Sequence, residues 1–163
     1  MSETVYSVAI AMGRINRWCG RGHFALSIAQ HQTVLSYYVP PRLARAALIH
    51  DLSEFIVGEV PSPVKRKCYD LNRIEDRVQR VIFEKFDVPH ENLLALHNYD
   101  VAIRVDEAKA LGLTPPAGEG LGAVIDEMTA LEASNAWLER YMVLFDEPGD
   151  PAEQTMEELR KAA

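Results

Sequence analysis

Residues 27–65 read SIAQHQTVLSYYVPPRLARAALIHDLSEFIVGEVPSPVK, and the spacing of apolar residues in this stretch decides the fold. Apolar side chains recur three and four positions apart, the period of an α-helix and not the alternation of a strand. The pattern predicts a helix from about His23 to Val39, with Phe24, Ile28, His31, Leu35 and Tyr38 on one stripe. Pro40 and Pro41 end it, and Pro41 suits the first turn of the next helix, where its missing N–H costs nothing. On that third helix Leu43, Ala47, His50, Glu54 and Val57 share a face, and Gly58 is a natural stop. The segment GEVPSPVK, Gly58 to Lys65, reads as a loop punctuated by Gly58, Pro61 and Pro63.

The same period extends outward in both directions. A short first helix is expected from about Val5 to Trp18. A fourth turns Leu71, Ile74, Val78, Val81 and Ile82 inward and is broken by Pro89. A fifth, from about His90 to Leu111, aligns Leu93, Leu96, Asp100, Ile103 and Glu107. The Pro/Gly-rich turn TPPAGEGLG separates it from a sixth helix carrying Leu121, Val124, Met128, Leu131, Leu138 and Phe145. Strand signals are nearly absent, so the chain reads as an all-α bundle of about six helices. One domain is expected over residues 1–147, with a charged, loosely held tail over 148–163.

Composition narrows the function. The chain has 163 residues and 48% apolar side chains, enough for one core without disulfide staples. Cys19 and Cys68 form no CxxC pair, as in a reduced cytoplasmic protein. No secretory leader and no run of about 20 apolar residues is visible, so no membrane partner is expected. A formal net charge of −7 disfavours duplex nucleic acid, which needs a basic footprint. A small anion remains open through a metal or a local cluster, and Arg14, Arg17 and Arg21 form one basic group and Lys65, Arg66 and Lys67 another. Each of these groups reads equally as solvated surface charge. GEGLG follows no strand and is no dinucleotide loop. His23, His90 and His97 read as surface or capping residues.

The chemistry lies where polar residues interrupt apolar stripes. His31, the pair His50-Asp51, and Asp100 fall on or beside the inward faces of three helices. A buried carboxylate without a partner is expensive. Two imidazoles and two carboxylates around a divalent cation remove that cost together, and this donor mix suits zinc, manganese, cobalt or iron. Glu54 lies one turn beyond His50, placed to orient or deprotonate an attacking water. Local alternatives stay open: Asp100 can pair with Arg104 at i,i+4, Glu54 with a basic residue, and a lone inward histidine with the backbone. Asp106 and Glu107 stand within two turns of Asp100, and Glu107 reads as a brace for another helix or a basic side chain.

The runs SIAQHQTVLSYY, ARAALIHDLSEFIVGEVPSPVK and HNYDVAIRVDEAKAL, in that order, resemble the HD-domain phosphohydrolase superfamily over roughly residues 14–112. They are similar to the branch that holds bacterial 5′-deoxynucleotidases and small phage dATP triphosphohydrolases. The resemblance implies that His31, His50, Asp51 and Asp100 are metal ligands and that Glu54 is the catalytic carboxylate. It implies that Arg17 of INRWCG contacts phosphate, that Trp18 packs on base or sugar, that Lys65 binds phosphate and that Pro63 shapes the base pocket. Trp18 reads equally as a core anchor. Glu59 stands where relatives carry Asp, as a second catalytic carboxylate near the leaving group, and Gln30 stands where many carry Glu.

The implied activity is a metal-dependent hydrolase of deoxynucleoside 5′-phosphates, using zinc, cobalt or manganese and an additional magnesium. Likeness to the compact phage enzymes favours release of triphosphate from dATP by water attack at the α-phosphorus, in a host cytoplasm. A 5′-deoxynucleotidase acting on dNMPs is the first alternative, and a non-enzymatic helical protein with a structural metal is the second. The implied partners are a small-molecule deoxynucleotide and further copies of the chain, with Trp137 and Tyr141 serving either an interface or the core.

Overall fold

The computed structural model describes residues 5–145. Eight α-helices follow in order: α1 Val5–Met12, α2 Ile28–Tyr38, α3 Ala44–Ile49, α4 Glu54–Val57, α5 Ser62–Lys65, α6 Tyr69–Lys85, α7 Asn92–Ala110 and α8 Ala130–Phe145. Tight 3₁₀ turns occupy Arg17–Gly20 and Pro41–Leu43. Among the described residues there is no strand, only an isolated bridge between Asn16 and Ser27. The fold is all-α, as the helical period predicts. The tail over 148–163 lies outside the described residues.

Helix α2 runs through the middle of the bundle and packs against α3, α7 and α8. Ser27 caps it, its side chain accepting from the Gln30 N–H at 3.1 Å. The predicted inward stripe holds for Ile28, His31 and Leu35, all buried. Phe24 precedes the helix, and Tyr38 at its end is exposed. The central core joins Met12, Ile28, Leu48, Ile49, Phe83 and Trp137. Trp137 is 1% exposed and donates its indole N–H to Gln32 Oε1 at 3.0 Å and Leu48 O at 3.1 Å. It thus ties α8 to the neighbours of His31 and His50. The half-buried Tyr141 stacks on Trp137 at 5.5 Å, so Trp137 fills the core with Tyr141 packed against it. No described helix is long and apolar enough to cross a membrane.

Three predicted elements differ. The first helix stops at Met12 and does not reach Trp18, which with Cys19 adopts φ 55, a left-handed turn that no helix continues through. The third helix is broken between Ile49 and Glu54, where backbone bonds tighten to three-residue spacing, as in Leu52 N–H to Ile49 O and Glu54 N–H to Asp51 O. The sixth helix begins only at Ala130, so Leu121, Val124 and Met128 are not on it. The cause is Asp106, whose Oδ2 accepts from the backbone N–H of Leu121 at 2.7 Å and of Ala123 at 3.1 Å and holds that segment against α7. A capping box then starts α8: Thr129 N–H donates to Glu132 Oε2 at 2.7 Å and Glu132 N–H to Thr129 Oγ1 at 3.2 Å. The loop Gly58–Lys65 also contains the short α5.

Replacing Trp137 with Phe leaves two buried acceptors unpaired, on Gln32 and Leu48. The expected cost is about 1–3 kcal/mol of folding stability, read as a lower urea midpoint with an unchanged slope.

Candidate metal centre

Three segments deliver four donor atoms to one buried point. His31 comes from the first turns of α2, His50 and Asp51 from the break after α3, and Asp100 from the middle of α7. His31 Nε2 lies 3.3 Å from His50 Nε2, 3.5 Å from Asp51 Oδ2 and 3.4 Å from Asp100 Oδ1. His50 Nε2 lies 3.1 Å from Asp51 Oδ2 and 3.8 Å from Asp100 Oδ1. His31, His50 and Asp100 form a group that could hold a metal ion, and Asp51 Oδ2 lies against both imidazoles beside that group. Ligands about 2.1 Å from a tetrahedral ion stand about 3.4 Å apart, so the spacing fits a coordination shell.

The hydrogen bonds on the far side of each ring agree with that fit. His50 Nδ1 faces Ala47 O at 2.8 Å, an atom that only accepts, so Nδ1 carries the proton. His31 Nδ1 donates to Glu107 Oε1 at 2.6 Å. Both Nε2 atoms therefore face the same point and can offer lone pairs to a cation there, each oriented by an outer hydrogen bond as metal-binding histidines are. Asp100 Oδ1 is buried without a hydrogen-bond partner, while its Oδ2 accepts from Arg104 at 2.6 Å. The local i,i+4 pair and the convergence on the centre thus coexist, one oxygen each.

Electrostatics favour positive charge at that point. Burial opposes a charge on His50, but Asp51 and Asp100 overcome it and push the imidazole up to about 10. Despite burial, His50 and its neighbours hold the Asp51 carboxyl well below the usual carboxylate range, and the two histidines do the same for Asp100. The quartet draws positive charge to its centre.

Glu107 stands immediately behind it and is fully buried. Its Oε1 serves His31, and its Oε2 accepts from Trp18 Nε1 at 2.9 Å and Arg17 Nε at 3.3 Å. Burial raises its acidity constant's pKa, but Arg17 and His31 outweigh that and bring the carboxyl to about 2. Arg17 also reaches Asp51 Oδ2 from Nη1 at 3.2 Å. The brace predicted for Glu107 is present, and it extends to a donor-bearing histidine that sequence reasoning did not connect with it.

A cleft of about 390 Å³ opens beside Asp51 and Asp100. All the remaining sequence-predicted site residues line it: Arg17, Trp18, Glu54, Glu59, Pro63 and Lys65. Arg21 and Arg104 also line it and were not singled out as ligand-binding residues, although Arg104 sits one turn from Asp100. Burial pushes the Glu54 carboxyl up to about 10, helped by the charges of Asp51 and Glu59 and opposed by Arg17 and Lys65. Its Oε2 is buried without a partner. Lys65 pairs with Glu75.

A second cleft, about 310 Å³, shares Asp51 and Asp100 and runs between Asn72, Glu75, Asp76 and Gln79 of α6 and Leu93, Leu96 and His97 of α7. His97 is exposed, as expected of a surface residue, and lies at the edge of this cleft. His90 sets its ring edge-on to Phe83 at 5.8 Å, and His23 packs over Gly112. Asp106 is occupied by backbone N–H groups and does not join the centre.

No family model matches the chain. It is 31% identical over 123 residues to the uncharacterized protein YfdR of Escherichia coli (strain K12), an alignment covering 73% of this chain and 69% of that protein. At that identity and coverage, the chain belongs to the same family as YfdR.

Proposed function

We propose that this protein is a metal-dependent hydrolase of deoxynucleoside 5′-phosphates built on the HD-domain plan, and that it converts dATP to deoxyadenosine and triphosphate. One observation carries the reading: the His31–His50–Asp51–Asp100 quartet borders a cleft that gathers Arg17, Arg21, Lys65 and Arg104 beside the buried Glu54 carboxyl. Cations lining a cleft in a chain of net charge −7 favour an anionic ligand. The likeness of the H…HD…D order to HD-domain phosphohydrolases supports the reaction class.

The donor set suits zinc, cobalt or manganese, and an additional magnesium would accompany the triphosphate. A divalent cation held by the quartet supplies charge that polarises phosphorus, acidifies water and offsets the Asp51 charge that helps keep Glu54 protonated. The other roles belong to the chain. Arg17, Arg104 and Lys65 are held in place by carboxylates and grip non-bridging oxygens, with the forked guanidinium groups binding two at a time. Charge that grows on those oxygens in the transition state strengthens the grip. Glu54 Oε2 takes a proton from the attacking water. The bond from the α-phosphorus to the 5′-oxygen breaks as that oxygen receives the proton Glu54 took from the water, passed on by way of Glu59, so that the water's hydroxyl ends on triphosphate and its proton on deoxyadenosine. Trp18 offers an indole face to base or sugar, and Pro63 shapes the wall beside it.

The test is product analysis of purified protein, stripped with a chelator and refilled with zinc, cobalt, manganese or magnesium, against each dNTP, NTP and dNMP. Deoxyadenosine and triphosphate from dATP are expected, with no turnover before refilling. Phosphate released from dNMPs with triphosphates untouched would replace the proposal by a 5′-deoxynucleotidase. Silence across the panel would leave a helical protein with a structural ion.

Glu54→Gln is expected to lower kcat by about 10²–10⁴-fold while zinc is retained in a chelator-competition assay. Wild-type turnover in that variant would remove Glu54 from the chemistry. Lys65→Ala is expected to lower kcat/KM by roughly 10- to 100-fold, the equivalent of about 1.5–3 kcal/mol for a charged hydrogen bond.

A further inference from the structure

Glu107 is a costly residue in its position. A carboxylate with no exposed surface must recover its lost hydration from partners. The partners it has join two functions: one oxygen holds the metal-facing ring of His31, and the other holds Trp18 and Arg17, which line the cationic cleft. Arg17 is bonded in addition to Asp51 Oδ2, the oxygen that faces both imidazoles. The turn that carries these two residues is tied by backbone bonds from Arg17 N–H to Leu26 O at 2.8 Å and from Arg21 N–H to Trp18 O at 3.2 Å, yet it is strained. Trp18 and Cys19 both sit at φ 55, a left-handed conformation that non-glycine residues adopt only at a cost. The side-chain bonds to Glu107 and Asp51 stand against that backbone cost.

We propose that Glu107 is a positioning residue that couples filling of the quartet to the Arg17–Trp18 turn, so that a cation must be bound before the cleft takes full hold of an anion. The inference rests on the quartet as a cation site and not on the hydrolase reaction. When His31 Nε2 gives its lone pair to a cation, the ring becomes a stronger donor at Nδ1. Glu107 is drawn toward Oε1, and the hold of Oε2 on Trp18 and Arg17 weakens. Asp51 Oδ2, turned to the same cation, weakens its bond to Arg17 Nη1. Both changes free the guanidinium for the cleft. Without a cation, Arg17 stays engaged with two carboxylates and competes poorly for phosphate.

Tryptophan fluorescence reads this directly, because the chain has two tryptophans and Trp137 is locked in the core. Zinc is titrated into full-length protein, with binding followed independently by chelator competition. In wild type, saturating zinc shifts or quenches the emission, and in Trp18→Phe that response is lost. Glu107→Gln, nearly isosteric, keeps the helical circular dichroism, binds zinc about 10- to 100-fold more weakly, and shows no Trp18 response at saturation. An emission unchanged at full zinc occupancy in wild type overturns the coupling. So does a Glu107→Gln protein with wild-type zinc affinity and response. If Glu107→Gln does not fold, the wild-type and Trp18→Phe pair decides. Failure of zinc to bind wild type overturns the coupling and the metal centre together. A silent product panel beside intact spectroscopic results overturns the hydrolase reading alone.

Discussion

Both imidazole Nε2 atoms and Asp100 Oδ1 meet in the interior within 3.3–3.8 Å, and Asp51 Oδ2 lies 3.1 and 3.5 Å from the two rings. Donor atoms at that spacing repel one another unless positive charge lies among them. Much of the surrounding structure is organised by that constraint. Arg17 and Arg104 lean on the carboxylates from outside. Ala47 O and Glu107 fix the two rings so that both Nε2 atoms face inward and can offer lone pairs to a cation. The helix that carries His50 breaks there, and the break lets adjacent residues reach the same point. A regular helix would aim them about 100° apart.

The scaffold absorbs the cost of this polar interior with close packing behind it, away from the two clefts. Leu48 and Ile49 precede His50 in the core, and Ile103 follows Asp100 by one helical turn. Trp137 anchors α8 to both histidine-bearing segments through one indole N–H shared between Gln32 and Leu48. Gly13 lets α1 approach α8 so closely that a Cβ there would lie 2.2 Å from Ser134 Oγ. Rigid neighbours of this kind hold donor atoms at coordination spacing, which mobile loops do not.

Charge is distributed against the overall balance. The chain is acidic, yet its basic side chains at Arg17, Arg21, Lys65 and Arg104 come from three separate segments and line one cleft. The cleft on the other side of Asp51 and Asp100 is lined by Glu75, Asp76 and the amides of Asn72 and Gln79. An anion entering between them meets attraction on one side only. The readings of Arg14, Arg17 and Arg21 as a basic group and of Lys65, Arg66 and Lys67 as another were therefore each partly informative: one or two members of each reach the cleft.

The sequence by itself determined the helical class, the inward faces of α2 and α7, and the set of residues that converge. Those follow from local rules, namely a 3.6-residue period and the cost of burying unpaired polar groups. The capping box at Thr129 and Glu132 was equally local and legible, yet the apolar spacing of Leu121, Val124 and Met128 masked it. Only the tertiary structure decided that the third helix breaks at His50. It also decided that Asp106 holds residues 121–123 out of a helix, that Asp100 divides its oxygens between Arg104 and the centre, and that Glu107 joins His31 to Arg17 and Trp18 across separations of 76, 90 and 89 residues. Each of these depends on where a carboxylate finds its hydrogen-bond partners once the helices are packed. Those partners lie far away in the chain, so no local pattern encodes the choice.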